Sequence, residues 1–407
     1  MVLLARHLPP AINGGVYRPL ALLNAASRRG WQVTAFSQPP VNSPTPAGLE
    51  LRNRFPPEVR LISWQWSTLD VSHRLTPHLD GGFTTIGSII ETAHTVFGDS
   101  TPSLVLATGP TFAEFVGAMA LARHWGVPFV LDYRDEWSES PFVFVHHGSS
   151  DRFWEARVIE RAALVTFTTE AQREHQLRAF PGLRRERTAV VANGWDERAS
   201  ESGNPEQARP SSDRAVIGYL GSLGQHCDLP EFLATLRVAL AGNPALASRI
   251  EFDFIGLKTE TERRLLHAFE TPGVLKDLQQ VPLSEAQGAM RGCDALLLFN
   301  PPLLARYIPG KTYEYIAAGS RILLYGEGGE LEPLLTTYPA ALRVRRGDAR
   351  GLAEALETIA SRVGESRADP VLVDHYSRGR RASEHMDLLE RVIEDARENG
   401  AASPPPL

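Results

Sequence analysis

The sequence predicts an α/β protein made of two successive doubly wound, Rossmann-like halves. Three observations lead there. Short apolar runs of strand length alternate with runs of helical length along most of the chain, the pattern of parallel βαβ units. One stretch, Glu197 to Arg214, has almost no apolar residues and several Ser, Pro, Asn and Gly. It reads as an interdomain linker, and the pattern restarts after it. The length of 407 residues suits two to three domains. The expected boundaries are residues 1–196 for the first half, 197–214 for the linker and 215–380 for the second half, then a helix over 381–399 and a flexible tail over 400–407.

The elements follow in order. Val2 to Ala5 is an apolar run that fits a buried strand. Pro9, Pro10, Gly14 and Gly15 break regular structure and make a loop. Pro19 suits the start of a helix over about Arg18–Arg29, with Leu20, Leu23 and Ala26 on its buried face and Gly30 as its stop. Trp31–Phe36 is the next strand, and Gln38–Pro57 reads as a long loop rich in proline. A strand Val59–Trp64 and a helix Gly87–Phe97 follow. Strand Leu104–Ala107 leads into Thr108-Gly109-Pro110, and a helix runs from Thr111 to Trp125. Strand Val127–Leu131 ends in Asp132-Tyr-Arg134-Asp135-Glu-Trp137. Helix Asp151–Ala163, strand Leu164–Thr168, a helix from Glu170 and strand Thr188–Val191 complete the first half.

The second half opens with strand Ala215–Leu220 and the loop Gly221-Ser222-Leu223-Gly224. Helix Leu229–Ala241, strand Ile250–Ile255, helices Glu260–Glu270 and Ser284–Arg291, and strand Ala295–Phe299 come next. A short helix Lys311–Ala318, stopped by Gly319, precedes strand Arg321–Tyr325. Helices Gly351–Arg362 and Ser383–Asn399 end the pattern.

Composition narrows the function classes. Hydrophobic residues make up 43% and charged residues 22%, as in ordinary globular proteins. A formal net charge of −6 argues against broad nucleic-acid binding. Cys227 and Cys293 are the only cysteines, so neither a disulfide framework nor a zinc spacing is expected. The apolar start Met1–Ala5 is too short for a signal peptide, and no run reaches the roughly 18 apolar residues of a membrane span. The expected location is the cytoplasm, with peripheral contact at the inner membrane face left open. Arg178, Arg184, Arg185 and Arg187 cluster with Leu177, Phe180 and Leu183, but a solvated helix end explains that cluster better than a membrane surface.

The stretch Arg306-Tyr-Ile-Pro-Gly-Lys311-Thr312-Tyr-Glu314 carries the strongest chemical signal. A lysine in the first turn is the wrong charge for the positive end of a helix dipole. An anion at that end removes the mismatch, because the first N–H groups and the lysine then close on it together. Glu314 lies one turn on and can accept hydrogen bonds from hydroxyls. The plain alternative is an exposed Lys311–Glu314 ion pair worth about 0.2–0.5 kcal/mol. In doubly wound sheets ligands bind at the carboxyl ends of strands. Four further loops fall there: Pro9–Gly15, Thr108–Pro110, Asp132–Trp137 and Gly221–Gly224. All five can face one central cleft between the halves. The glycines at 218, 221 and 224 lack dinucleotide-loop spacing, and no serine-hydrolase or zinc motif occurs.

Taken in order, these segments resemble the retaining glycosyltransferases of family 4, which have the GT-B fold. The matching pieces are Pro9–Gly15 with Arg18, Gly126–Trp137, Ala192-Asn193-Gly194-Trp195-Asp196, Gly218–Leu223, Gly292-Cys-Asp294-Ala and Pro309–Gly319. The Arg-Asp-x-Trp and Gly-Lys-x-x-Glu-Tyr pieces resemble a subgroup of that family. The resemblance implies a sugar transferred from a nucleoside-diphosphate sugar to an acceptor hydroxyl, with retention, no cofactor and no metal. It implies donor contacts at Gly14, Gly15, Gly221, Ser222, Arg306, Lys311, Thr312 and Glu314. It implies acceptor contacts at Asn13, Arg18, Thr108 and Trp137, for a small-molecule, glycan or lipid-linked acceptor. Asp135, positioned by Arg134, is the expected catalytic pair. It also implies that the last helix crosses back to the first domain. Two departures stand out. Glu314 matches the second of the family's two glutamates, and Arg306 stands where the first would be. The Arg and Lys that grip the pyrophosphate after the strand Ile217–Leu220 are missing, so Lys311, with Arg306, is expected to replace them. These departures keep two other readings in view: a sugar-nucleotide epimerase or hydrolase, and a non-catalytic binding subunit.

Overall fold

The computed structural model describes residues 1–39, 44–64, 79–80, 82–196, 213–224, 227–361, 370–398 and 400. The chain divides into two compact units: Met1–Asn193 with Arg378–Leu407, and Gly194–Ser377.

The first unit holds a parallel sheet of seven strands: β1 (Val2–Ala5), β2 (Thr34–Ser37), β3 (Arg60–Ser63), β4 (Val105–Gly109), β5 (Phe129–Tyr133), β6 (Leu164–Phe167) and β7 (Thr188–Val190). Their order is β3-β2-β1-β4-β5-β6-β7. The order reverses between β1 and β4, so the loops after those strands flank the topological switch point. β1, β4 and β5 are buried throughout, as expected of parallel strands covered on both faces. The helix Tyr17–Arg28 buries Leu20, Leu22, Leu23, Ala25 and Ala26 against the sheet, and Gly30 follows it at φ +74°. The long helix Arg378–Glu398 packs on this helix, adding Ala382, Met386, Leu389 and Val392 to the same core. Met386 and Leu389 are fully buried, and each contributes about 1.5–3 kcal/mol. Arg29 ties the two helices at the surface through Asp387 (2.7 Å) and Glu390 (3.0 Å).

The second unit holds a parallel six-stranded sheet: β8 (Ala215–Leu220), β9 (Ile250–Ile255), β10 (Leu275–Leu278), β11 (Ala295–Asn300), β12 (Ile322–Gly326) and β13 (Ala341–Val344). The order is β10-β9-β8-β11-β12-β13, with its reversal between β8 and β11. Alternate residues of β11 serve two cores. Leu297 and Phe299 join one face, Leu296 and Leu298 the other. The β8–β11 ladder pairs Ala295 with Ile217 and Leu296 with Gly218. Beyond it, the Leu220 N–H donates instead to the Tyr315 hydroxyl at 3.2 Å. Tyr315 belongs to the helix Gly310–Ala318, which follows β11, so that helix is held at the switch point itself.

Several elements differ from the sequence reading. The stretch read as a long loop contains a helix, Pro46–Asn53. Thr45 caps it, its hydroxyl accepting from the Gly48 N–H at 3.2 Å, and Pro46 starts it. β10, β13 and the helices Leu331–Thr336 and Pro370–His375 were not anticipated. β10 and β13 are edge strands, and their sequences Leu-Lys-Asp-Leu and Ala-Leu-Arg-Val lack a continuous apolar run because one side meets solvent. Residues 197–212 of the expected linker and 401–407 of the expected tail lie outside the described residues. The basic cluster is partly engaged within the first unit. Phe180 and Leu183 are buried, Arg185 pairs with Glu174 at 2.6 Å, and Arg187 donates to the Glu160 carbonyl. Among the described residues no helix is long and apolar enough to cross a membrane.

Candidate functional site

In the second unit, the strand end at β8 is shaped by glycine. Gly221 sits at φ +118° and donates its N–H to the Ile255 carbonyl at 2.9 Å. Gly256, at φ +139°, lies so close that a Cβ there would stand 2.4 Å from the Gly221 oxygen. Side chains are thus kept out, and Lys311 fills the space: its Nζ is 3.4 Å from where a Gly221 Cβ would be.

Lys311 sits in the first turn of the helix Gly310–Ala318, which has no acidic residue in that turn. The Nζ is buried and finds no hydrogen-bond partner among the described residues. It rests 3.6 Å from the centroid of the Tyr219 ring, so a cation–π contact is its main compensation. Burial lowers its pKa to about 8, against an opposing pull from Cys227. The Tyr219 hydroxyl donates to the Ser222 carbonyl (2.9 Å) and lies 2.9 Å from Cys227 Sγ. Thr312 is buried beside Lys311, and its hydroxyl also lacks a partner among the described residues. One turn on, the half-buried Glu314 accepts a hydrogen bond from Gln287 Nε2 at 3.0 Å. A buried unpaired ammonium, a helix N-terminus and a carboxylate one turn away make a site that can take an anion beside a hydroxyl-bearing group.

In the first unit, the run from Asp132 to Trp137 splits into two roles. Asp132 is buried and fully satisfied. Arg18 holds it at 2.8–3.2 Å, and the hydroxyls of Thr108 and Thr166 donate to it at 3.0 and 2.8 Å. Burial alone would raise its pKa, but the Arg18 guanidinium outweighs that and holds the carboxyl well below the usual range. Arg18 also donates to the carbonyls of Val191 (2.8 Å) and Ala192 (3.1 Å), tying the end of β5 to the segment after β7. Trp137 is buried, stacked on Phe112 at 5.2 Å, with its indole N–H donated to Asp151 at 2.8 Å.

Arg134 and Asp135 face differently. Arg134 donates to three backbone carbonyls: Gly109 (2.9 Å), Gly15 (2.6 Å) and Pro110 (2.6 Å). It thereby fastens the loop after β1 to the loop after β4. Gly15 is required for this, because a Cβ there would stand 2.3 Å from Arg134 Nη1. Asp135 is half-exposed, and no hydrogen bond reaches its carboxylate among the described residues. Burial raises its pKa to about 6, Arg134 pulls it down and Glu136 pushes it up.

The structure therefore sorts the expected residues. Lys311, Thr312 and Glu314 come together with Gly221 at one strand end. Ser222 is exposed there, and Arg306 is half-buried and already engaged within the fold. Arg134 and Asp135 are adjacent, and Arg134 is held by the carbonyls of Gly15, Gly109 and Pro110. Gly14 and Gly15 belong to the first unit. Gly15 donates its N–H to Asn13 Oδ1 at 3.0 Å, so that N–H is not free for a phosphate. Arg18, Thr108 and Trp137, expected as acceptor contacts, each use polar atoms in hydrogen bonds within the first unit. The sequence reading missed Tyr219 and Gln287. Tyr219 lies one residue inside the glycine run, but an aromatic in a buried strand gives no separate signal. Gln287 stands out only as a polar residue on a helix face that turns out to be buried.

Residues 13–194 match the glycosyl transferase 4-like domain. No curated protein matches the chain. Among solved structures, a glycosyltransferase from Rickettsia africae matches at a TM-score of 0.66 and 12% identity, over 97% of this chain and 99% of that one. HepE of Anabaena, solved in complex with UDP-glucose, matches at 0.64 and 15% identity, over 96% and 100%. The trehalose 6-phosphate synthase of Burkholderia multivorans matches at 0.67 and 14% identity, over 98% of both chains. These likenesses establish the GT-B fold.

Proposed function

We propose that this chain, a GT-B protein whose first unit carries a glycosyl transferase 4-like domain, transfers a sugar from a nucleoside-diphosphate sugar to an acceptor hydroxyl with retention of configuration. The observation that carries the reading is Lys311: a buried ammonium at a helix N-terminus with no hydrogen-bond partner among the described residues. A buried charge without a partner is costly, and a diphosphate would relieve it. HepE, similar in fold, is solved with UDP-glucose, which supports a donor of that class.

In this reading the second unit holds the donor. Lys311 and the first N–H groups of its helix take the diphosphate, and Glu314 accepts from the ribose hydroxyls. Breaking the anomeric bond leaves negative charge on the departing diphosphate. Fixed charges aimed at that oxygen stabilise it more in the transition state than in the bound donor. They do so without a divalent cation, so turnover in a chelator should match turnover without it. The departing phosphate takes the proton of the attacking hydroxyl on the same face of the sugar, which retains the configuration. Asp135 orients that hydroxyl, and Arg134 holds the loop that carries Asp135.

The test is calorimetry of the wild type and Lys311→Ala with UDP-, GDP- and ADP-sugars. The wild type is expected to bind at least one of them. Affinity should fall by about 10- to 100-fold in the variant, as for loss of a charge-assisted contact. An unchanged affinity in a folded Lys311→Ala protein overturns this assignment. NMR of the product's anomeric proton tests retention separately.

A further inference from the structure

We propose that Gln287 is a positioning residue for nucleoside recognition: its amide holds the Glu314 carboxylate in the orientation that reads a ribose diol. The proposal rests on the donor reading above and makes the ligand a ribonucleoside diphosphate, discriminated from its 2′-deoxy counterpart.

Gln287 lies on the helix Leu283–Gly292, which packs against the helix bearing Glu314. The residue is only 3% exposed. Its Nε2 donates to Glu314 Oε2 at 3.0 Å, while its Oε1 is buried with no hydrogen-bond partner among the described residues. For packing alone this is a poor arrangement, because a leucine of similar size would leave no orphaned acceptor. The amide is also held in one sense. Turned over, it would set its oxygen against the carboxylate oxygen, two acceptors face to face. The orientation is therefore dictated by Glu314 and not by the amide's own satisfaction.

The Gln287 hydrogen bond restrains one oxygen of Glu314. A free glutamate loses rotamer entropy when it binds a ligand, and ordering it beforehand removes that cost. An ionised carboxylate offers about four lone-pair sites and the Gln287 amide takes one, so a carboxylate held in this way can accept from ligand hydroxyls as well. A 2′-deoxyribose offers only one of the two hydroxyls of a ribose diol. Lys311, on the same helix, meets the diphosphate and gains nothing from the 2′-hydroxyl. Discrimination thus lies with the Gln287–Glu314 pair, and overall affinity lies with Lys311.

The experiment measures Kd by calorimetry for UDP, GDP and ADP and for the 2′-deoxy form of each. The wild type should prefer the ribo form of whichever nucleotide binds. Gln287→Leu should lower that preference by about tenfold, the size expected for one hydrogen bond to a charged group, with thermal stability held or raised. Gln287→Glu keeps the shape, sets an acceptor against Glu314, and should lose the preference as well. Lys311→Ala should weaken both forms by the same factor and keep their ratio. If both Gln287 variants keep the wild-type ratio, the proposal falls and the donor site stands. A wild type that binds both forms equally has the same consequence. A wild type that binds no nucleoside diphosphate removes both readings.

Discussion

Two strand ends in this protein carry buried charge, and they treat it in opposite ways. At the end of β5, Asp132 is paired with Arg18 and bonded by two threonine hydroxyls, and Arg18 spends its remaining donors on backbone carbonyls. At the end of β8, the Lys311 Nζ is buried over the Tyr219 ring and has no hydrogen-bond partner among the described residues. Both are buried charged groups at the carboxyl ends of parallel strands. What differs is satisfaction. A buried charge whose every partner is internal is architecture, and breaking it costs stability. A buried charge left open is held ready for a partner from outside, and its loss is felt in binding. The same contrast recurs across one strand end, where Asp132 in β5 is saturated and Asp135, three positions on in the loop, is not.

The largest effect expected from that contrast is on folding. Asp132→Ala leaves the Arg18 guanidinium buried and unpaired, a loss of about 3–5 kcal/mol. Urea denaturation should show it as a lower midpoint for the first unit. Intact stability with lost turnover would instead put Asp132 at the chemistry and end the distinction between the two strand ends.

Asp135→Asn should do the reverse. Stability should hold or rise, because an uncharged amide is easier to bury, while kcat drops by about 100-fold as an orienting carboxylate is lost. Donor affinity should not move. With its pKa raised to about 6, Asp135 is ionised at neutral pH and protonated as pH falls through 6. Wild-type kcat should therefore decline on that acid limb, and Asp135→Asn should be flat across it. A wild-type rate in Asp135→Asn refutes the role.

The smallest effect sharpens the boundary between framework and site. Trp137→Phe removes the hydrogen bond to Asp151 but keeps most of the ring stacked on Phe112. A loss of about 1–2 kcal/mol in stability is expected, with the KM for acceptor unchanged. A raised acceptor KM at full stability would place Trp137 at the acceptor site.

Much of the scaffold was readable beforehand. The helix Gly310–Ala318 with its stop at Gly319 came from two breakers and a run between them, and Ala295–Asn300 from a strand of near-continuous apolar character. Edge strands β10 and β13 were missed because half-exposed strands carry mixed sequences. The grouping of Lys311 with Glu314 was legible from helical spacing alone. The partition of Asp132–Trp137 was not. Side chains alternate predictably only while the strand continues, and β5 ends at Tyr133.

The sequence by itself determined the class of fold, the two-part division and the placement of candidate residues at strand ends. These depend on local periodicity and on breakers, which act over a few residues. Tertiary structure alone decided which charges are closed and which are open. Arg18 meets Asp132 across 114 positions, and Gln287 meets Glu314 across 27. Satisfaction of a buried charge depends on groups brought together from such distances, so no local pattern can announce it. Lys311 was a cation in the wrong turn of a helix until the fold showed that the described chain gives it no acid to meet.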